Sequence, residues 1–348
     1  MKKHLLAMAV AAAMPVSALA ASTFYGKINL SVDKTSDYPE GPLVFDADDL
    51  SDAWFVSSNS SRLGVRGEEG LDFNNLSVIY QYEAGYDVDG DSGSTFSTRN
   101  SFLGLNTVAG KFFAGRFDSV VKDAEGWVDQ FNETVADMEV VFISQNRNNN
   151  TLNWESPDFG GVVIRAQIAP GEGEQIGVGA NSETKDGLTD TWGLSATLDN
   201  DAIYAALAYE SAYDEISVLG ATLGGDRDAL RGTFGVKATD SVQLGIIAEK
   251  AAFDPIGDDE ADLMSYLLSG RVGLNDRLGV KAQAGILDSS DLDLDIQVLT
   301  LGADYKLGSQ TTAYGLLSAS NTDFDPVGSV NDVDESGTAF SVGMVHKF

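Results

Sequence analysis

The chain has 348 residues, 43% hydrophobic and 22% charged, with 37 glycines, 7 prolines and no cysteine. A mean hydropathy of -0.08 excludes a bundle of membrane helices, which needs several runs of about 20 apolar residues. The apolar fraction is too high for a disordered acidic chain, despite a formal charge of -31. A pI near 4.1 argues against nucleic acid as a partner, because phosphate binding needs a basic face. The absence of cysteine removes disulfide scaffolds, thiolate metal sites and cysteine nucleophiles, and only His4 and His346 offer an imidazole.

Residues 1–20 have the order of an export signal. Lys2 and Lys3 form a positive start, Leu5 to Met14 a short apolar stretch, and Ala18-Leu19-Ala20 a small-x-small cleavage site. About ten apolar residues are too few to span a bilayer as a helix. Removal of this segment leaves 20 basic residues against 53 acidic ones, a mature charge of -33. A single domain over 21–348 is expected, since no Pro/Gly/Ser linker divides it.

From Ala21 onward the dominant period is two. Phe24, Ile28, Leu30 and Val32 share one face of the first segment, and Tyr25, Lys27, Asn29, Ser31 and Asp33 the other. Successive strand side chains point to opposite faces, so this is a strand with one apolar and one polar surface. The pattern recurs in Leu76–Glu83, in Thr191–Leu198 and at the end in Phe340–Phe348. Sixteen strands are expected: 23–33, 54–67, 75–87, 99–106, 111–118, 150–157, 161–169, 191–199, 202–212, 229–238, 241–252, 263–274, 277–287, 294–307, 310–320 and 338–348. Ile216 to Leu223, within 213–228, is apolar enough for a further strand, which leaves fourteen and eighteen as alternatives.

The connections alternate in length. Long ones at 34–53, 88–98, 119–149 and 170–190 are separated by short ones at 68–74, 107–110, 158–160 and 200–201, and the last long one is 321–337. An up-and-down meander gathers all the short turns at one rim and all the long loops at the other, the asymmetry of a transmembrane antiparallel β-barrel. A soluble β-sandwich shares the alternation. It does not explain the loop lengths, nor the Phe, Tyr and Trp residues at strand ends. The long loops concentrate acid: Asp37, Glu40, Asp46, Asp48, Asp49 and Asp52 in the first, Asp254, Asp258, Asp259, Glu260 and Asp262 later, and Asp323, Asp325, Asp332, Asp334 and Glu335 in the last. They form a hydrated rim, with loosely bound divalent cations as the alternative because hard cations take oxygen ligands. No cofactor and no structural metal site are expected.

A sixteen-stranded barrel is too wide to be filled by its own side chains and encloses water, so its narrowest point decides what passes. The longest connection, 119–149, carries Trp127, Val128, Phe131, Val140, Val141, Phe142 and Ile143 beside six acids. A loop that met only solvent would have little use for that apolar content. Folded inward, it can pack those residues on the wall and turn its acids to the channel. Lys27, Arg62, Arg99, Arg116 and Arg147 fall on the polar register of their strands or strand ends. They are expected to face the loop across the lumen and set ion preference.

These segments resemble the Gram-negative outer-membrane general diffusion porin family along the whole mature length. Phe24-Tyr25-Gly26-Lys27 is similar to the family's first-strand motif, and Ser61-Arg62-Leu63-Gly64-Val65-Arg66-Gly67 to its second. Arg99–Leu105 and Gly115-Arg116 are similar to the strands before its constriction loop, and Asp123–Glu133 to that loop in its enteric form. The resemblance implies a homotrimer in the outer membrane, passive diffusion of small hydrophilic solutes and ions, constriction acids at Asp129 and Glu133, and a basic ladder of Lys27, Arg62, Arg99 and Arg147. It also implies that Phe348 is the closing aromatic recognised by the barrel-assembly machinery. The enteric loop continues Pro-Glu-Phe-Gly-Gly, whereas Asn132-Glu133-Thr134-Val135 stands here.

With a mature charge of -33, a modest cation preference is expected. Other readings are a channel selective for one solute type, which a ladder of lumen aromatics would favour, and a barrel hydrolase of the outer-membrane phospholipase or protease kind. The latter needs a positioned histidine, and the mature chain holds only His346, on the outer face by parity. A surface adhesin or phage receptor would use the acidic loops.

Overall fold

The structure is a computed structural model that describes residues 22–39, 41, 52–73, 75–90, 95–178, 181–218, 221–255, 260–324 and 333–348. The export segment and most acids of the first long loop, Glu40, Asp46, Asp48 and Asp49, lie outside the described residues. Sixteen antiparallel strands form the barrel. They are β1 Ser22–Ser36, β2 in two pieces (Ala53–Ser58 and Arg62–Gly70), β3 Ser77–Tyr86, and β4 in two pieces (Phe96–Thr98 and Ser101–Thr107). Next come β5 Gly110–Asp118, β6 Arg147–Glu155, β7 Val162–Ala169, β8 Thr191–Asp199, β9 Ile203–Val218 and β10 Ala221–Thr239. The last six are β11 Val242–Pro255, β12 Ala261–Gly273, β13 Leu278–Ser289, β14 Leu294–Lys306, β15 Thr311–Phe324 and β16 Val333–Lys347.

Each strand pairs with its neighbours in sequence, and β16 returns to β1 from Lys27 opposite Lys347 to Ser36 opposite Thr338. Closure leaves no edge to be satisfied by another chain. The seam ends where Gly26 and Phe348 exchange backbone hydrogen bonds of 2.9 and 3.0 Å. The Phe348 ring occupies the space that a side chain at position 26 would need, so any larger residue there would have to displace that ring.

The period-two reading places the side chains as expected. Phe24, Val56, Leu103, Leu152, Leu194, Leu207, Leu244, Leu268, Leu299, Leu317 and Met344 are all exposed on the outside. An apolar band of this extent around a molecule is a lipid-facing surface. The alternating polar residues of β1, Lys27, Asn29, Ser31 and Asp33, are buried inside.

One open alternative is settled and one expectation is corrected. The stretch 213–228 adds no strand: it is the outer end of the β9–β10 hairpin, with Ile216 opposite Leu223. Among the described residues of the second half, strand pairing continues far beyond the expected strand ends, and β13 and β14 are joined by residues 290–293 alone. Polar composition above the membrane looks like loop in sequence, but nothing there prevents continued strand pairing. The loop at 170–190 likewise contains a small hairpin, Glu174–Val178 with Asn181–Lys185.

One-residue slips in pairing lie on the descending strands beside the basic residues. Against β1, Ser58 faces Leu30 but Arg62 faces Lys27, so β2 holds one extra residue. Against β3, Thr98 faces Ala84 but Phe102 faces Gln81, so β4 holds one as well. On β6 the slip against β5 falls between Thr151 and Asn148. Such β-bulges re-aim side chains. Trp54 and Val56 are exposed outside, and an unbroken strand would place Arg62 on that same lipid face. The bulge at Asn59–Ser61, with Ser60 at φ 53° and Ser61 bonded to Asn29 through both its donor and its acceptor, reverses the phase and turns Arg62 inward.

Candidate functional site

After β5 the chain turns into the barrel. Ser119 caps a four-residue helix, α1 (Val120–Asp123), by accepting a hydrogen bond from the Lys122 N–H at 3.0 Å. A single 3-10 turn, Met138–Val140, lies on the way back. Between and around them Val120, Val121, Val128, Phe131, Met138, Val140, Val141 and Phe142 are almost completely buried. They pack on inward-facing Ala206, Ala229, Ile247, Leu267, Leu287, Ile296 and Leu316 of β9–β15. Each buried Val or Phe side chain contributes about 1.5–3 kcal/mol, so the loop is fastened to this wall. Gly245 and Gly285 leave room for Val128 and Val141 to sit against the backbone.

Polar bonds fix the loop further. Ser265 and Ser269 donate to the Val141 and Val128 carbonyls at 2.6 and 2.5 Å, and Lys281 donates to the Gln130 carbonyl at 2.8 Å. Arg231, fully buried, joins both legs of the loop. It donates to the Val121 carbonyl at 3.0 Å and to the Ser144 carbonyl at 3.4 Å, and its Nη2 lies 2.6 Å from Glu249.

The tip reaches the opposite side at β1 and β2. Glu133 forms ion pairs with Lys27 and Arg62, and its backbone carbonyl accepts from Asn29 at 3.0 Å. Its φ of 58° lies in the left-handed region, a conformation that costs a non-glycine residue about 1–2 kcal/mol. Asp137 holds it by accepting the Glu133 N–H at 2.5 Å and the Glu139 N–H at 3.0 Å. Glu133 thus meets Lys27 and Arg62 although the sequence around it departs from the enteric pattern.

Asp129 is differently placed. It is buried within the loop, where its two oxygens accept the Phe131 and Met138 N–H groups at 2.8 and 3.0 Å. It closes the tip on itself and presents no charge to the lumen, because a loop this apolar needs an internal acceptor where it turns. Arg116 also departs from expectation. It alternates with Phe113 and Phe117, which cluster inside, and its guanidinium meets Asn149 of β6 instead of a loop carboxylate.

The remaining cations come together, with carboxylates that the sequence reading left unassigned. Glu83 of β3 lies between Arg62 (3.7 Å) and Arg99 (2.8 Å), and accepts from the Tyr25 hydroxyl at 2.8 Å. Arg147 pairs with Asp118 at 2.8 Å and donates to Asn100 at 2.6 Å, while Asn100 donates to Asp118 at 2.6 Å. The wall is therefore a row of alternating charges and not an uncompensated basic ladder. The signal for Glu83 was present in sequence, since it shares the polar face of β3. The docking wall had a signal too: Leu244–Ala248 and Leu267-Leu268 are apolar on both faces, unlike β1.

Three loop carboxyls, Glu125, Asp129 and Asp137, are raised, each chiefly by burial. Packing takes water away from Glu125 and the neighbouring Asp129 charge adds to the effect, raising the carboxyl to about 8 against the pull of Arg231 and Lys122. Burial raises Asp137 well above the carboxylate range as well, with Asp129 the next cause. The favourable contribution of such a raised group holds below the ordinary carboxylate range and is lost as pH rises through the raised value, for Glu125 about 8. Between pH 7 and 9 the loop therefore gains negative charge, and the cation-to-anion permeability ratio should rise. Glu125→Gln should flatten that rise; a wild-type ratio independent of pH would contradict it.

A closed, lipid-facing barrel with a loop folded into its interior defines the class as a membrane channel with an internal constriction. Residues 7–325 match the family model of the Gram-negative porins, and the chain belongs to that family. The major outer membrane protein P.IB of Neisseria lactamica is 26% identical over 366 residues, covering 100% of each chain. That of Neisseria sicca is 32% identical over 175 residues, 49% of this chain and 47% of its own. The anion-selective porin from Comamonas acidovorans has the same fold, with a TM-score of 0.72 and 20% identity over 94% of this chain and 99% of that one. The protein is an outer-membrane porin of a Gram-negative bacterium.

Proposed function

We propose that this porin passes small hydrophilic solutes and ions by diffusion past the loop 119–149, with a modest preference for cations. One observation carries the preference. Lys27, Arg62, Arg99 and Arg147 are interleaved with Glu133, Glu83 and Asp118, so the constriction wall carries little net positive charge to oppose the acidic mouth. The structurally similar porin of Comamonas acidovorans is anion-selective, the opposite preference, which makes the point worth measuring. Reversal potentials across a salt gradient in planar bilayers are the test. Cation preference should be clearest near 0.1 M salt, where the Debye length is about 10 Å, and fade toward 1 M, where it is about 3 Å. Anion preference at low salt would overturn the reading.

The assembly is proposed to be a homotrimer embedded in outer-membrane lipid, in line with the trimer form described for OmpT of Vibrio cholerae. Phe348 is proposed as the signal to the barrel-assembly machinery; its contact with Gly26 at the closing seam supports a role in completing the barrel. Wild-type protein should run as a heat-modifiable trimer and Phe348→Ser should accumulate unassembled. Normal outer-membrane levels of that variant would count against the assignment. No hydrolytic activity is proposed: His346 is exposed beside Phe348, with ring centroids 6.2 Å apart, and its Nδ1 is 2.9 Å from the Thr311 hydroxyl.

A further inference from the structure

Below the Arg99–Arg147 region the lumen wall carries an apolar patch apart from the cluster that packs against the loop. Phe102 of β4 and Phe113 and Phe117 of β5 form a triangle of rings with centroids 4.7, 5.6 and 5.0 Å apart. Their alternate neighbours Leu103, Leu105 and Phe112 are exposed on the lipid face, so these three point inward. They do not belong to the apolar cluster that holds the inward loop. Phe113 is buried as the floor, at 6% exposure, while Phe102 and Phe117 keep part of their surface open.

Charges of both signs surround the patch. On the side of the short turns, Glu155 joins Lys111 at 2.7 Å to Arg165 at 3.1 Å, and Arg165 also meets Asp123 at 2.6 Å and lies over the Phe117 ring at 5.2 Å. Toward the outer mouth stand the Arg99–Glu83 and Arg147–Asp118 pairs. A row of paired charges gives a simple ion little net attraction, but it offers both a donor and an acceptor at short spacing. Aromatic rings prefer tilted or offset neighbours, and the partly exposed rings of Phe102 and Phe117, the latter with Arg165 over it, present such a surface between the two charged rows.

We propose that the Phe102–Phe113–Phe117 patch is a lumen subsite for small aromatic zwitterions of the amino-acid class, the ring resting on Phe102 and Phe117 and the ammonium and carboxylate meeting the flanking pairs. The proposal rests on the porin reading and deepens it, because it makes passage of one solute class saturable.

The test is single-channel recording in KCl with L-phenylalanine or L-alanine added at equal concentration. Phenylalanine should cause transient interruptions of the current that alanine, with the same charged groups and no ring, does not. Phe102→Ala and the milder Phe117→Leu should each shorten the interruptions, about fivefold for the former, the loss expected for one ring–ring contact. Indistinguishable effects of the two amino acids, or dwell times unchanged in both variants, would overturn the subsite. The KCl conductance without solute reads the pore itself, so an open channel without phenylalanine events sinks the subsite and leaves the porin reading standing. Absence of conductance in the wild type would count against both.

Discussion

Glu133→Gln is expected to turn the ion preference of the channel toward anions. The Glu133 carboxylate meets Lys27 and Arg62 together, so its neutralisation leaves two cations at the tip with Glu83 as their nearest remaining partner. A unit charge about 5 Å from a permeating ion in water is worth about 0.8 kcal/mol, or about fourfold in local ion concentration. Cations and anions respond in opposite senses, so the permeability ratio should fall about sixteenfold at low salt. Arg62→Gln and Arg99→Gln should move it the other way, since Glu83 and Glu133 then dominate. Asp129→Asn separates charge from architecture. Its carboxylate is spent on the Phe131 and Met138 N–H groups, so the variant should loosen the tip and add current noise with little change in selectivity. Asp323→Asn with Asp334→Asn, a pair facing each other near the outer end of β15–β16, serves as the mouth control. Reversal potentials decide the matter: if Glu133→Gln shifts the ratio no more than this control does, the tip does not govern the narrowest point.

Arg231→Leu is expected to release the loop and destabilise the barrel. The guanidinium binds one leg of the loop through Val121, the other through Ser144, and is itself held by Glu249. Removing it leaves the Glu249 carboxylate buried without its cation, a change that typically costs about 3–5 kcal/mol. The double variant Arg231→Leu with Glu249→Leu removes the stranded charge and should recover much of the stability. It cannot restore the two carbonyl bonds, so conductance should stay raised and noisy in both variants. Thermal unfolding in detergent and single-channel recording measure the two effects separately. A single variant with wild-type conductance and melting would show that apolar packing alone holds the loop.

Much of this architecture was legible from the chain. The alternation of Phe24, Ile28, Leu30 and Val32 with Lys27, Asn29 and Ser31 determines a two-faced strand, and sixteen such segments determine a wide barrel. The apolar content of 119–149 has no use at a solvated rim, so inward folding followed from composition, while the place of Glu133 beside Lys27 and Arg62 was implied only by the resemblance to the porin family. What only the tertiary structure decided concerns phase and partners. A strand's own period says which residues share a face. Pairing with the next strand decides where that period slips, and the bulge at Asn59–Ser61 sends Arg62 inward against the parity of Trp54 and Val56. The charge row depends on contacts between strands and loop, which placed Glu83 and Asp118 among the cations and took Arg116 to Asn149. Asp129 carries the same charge as Glu133 and stands four residues away, yet it went to the backbone of its own loop. Composition cannot separate the two, because a carboxylate in a buried turn is worth most as an acceptor of N–H groups and one at a tip is worth most beside cations.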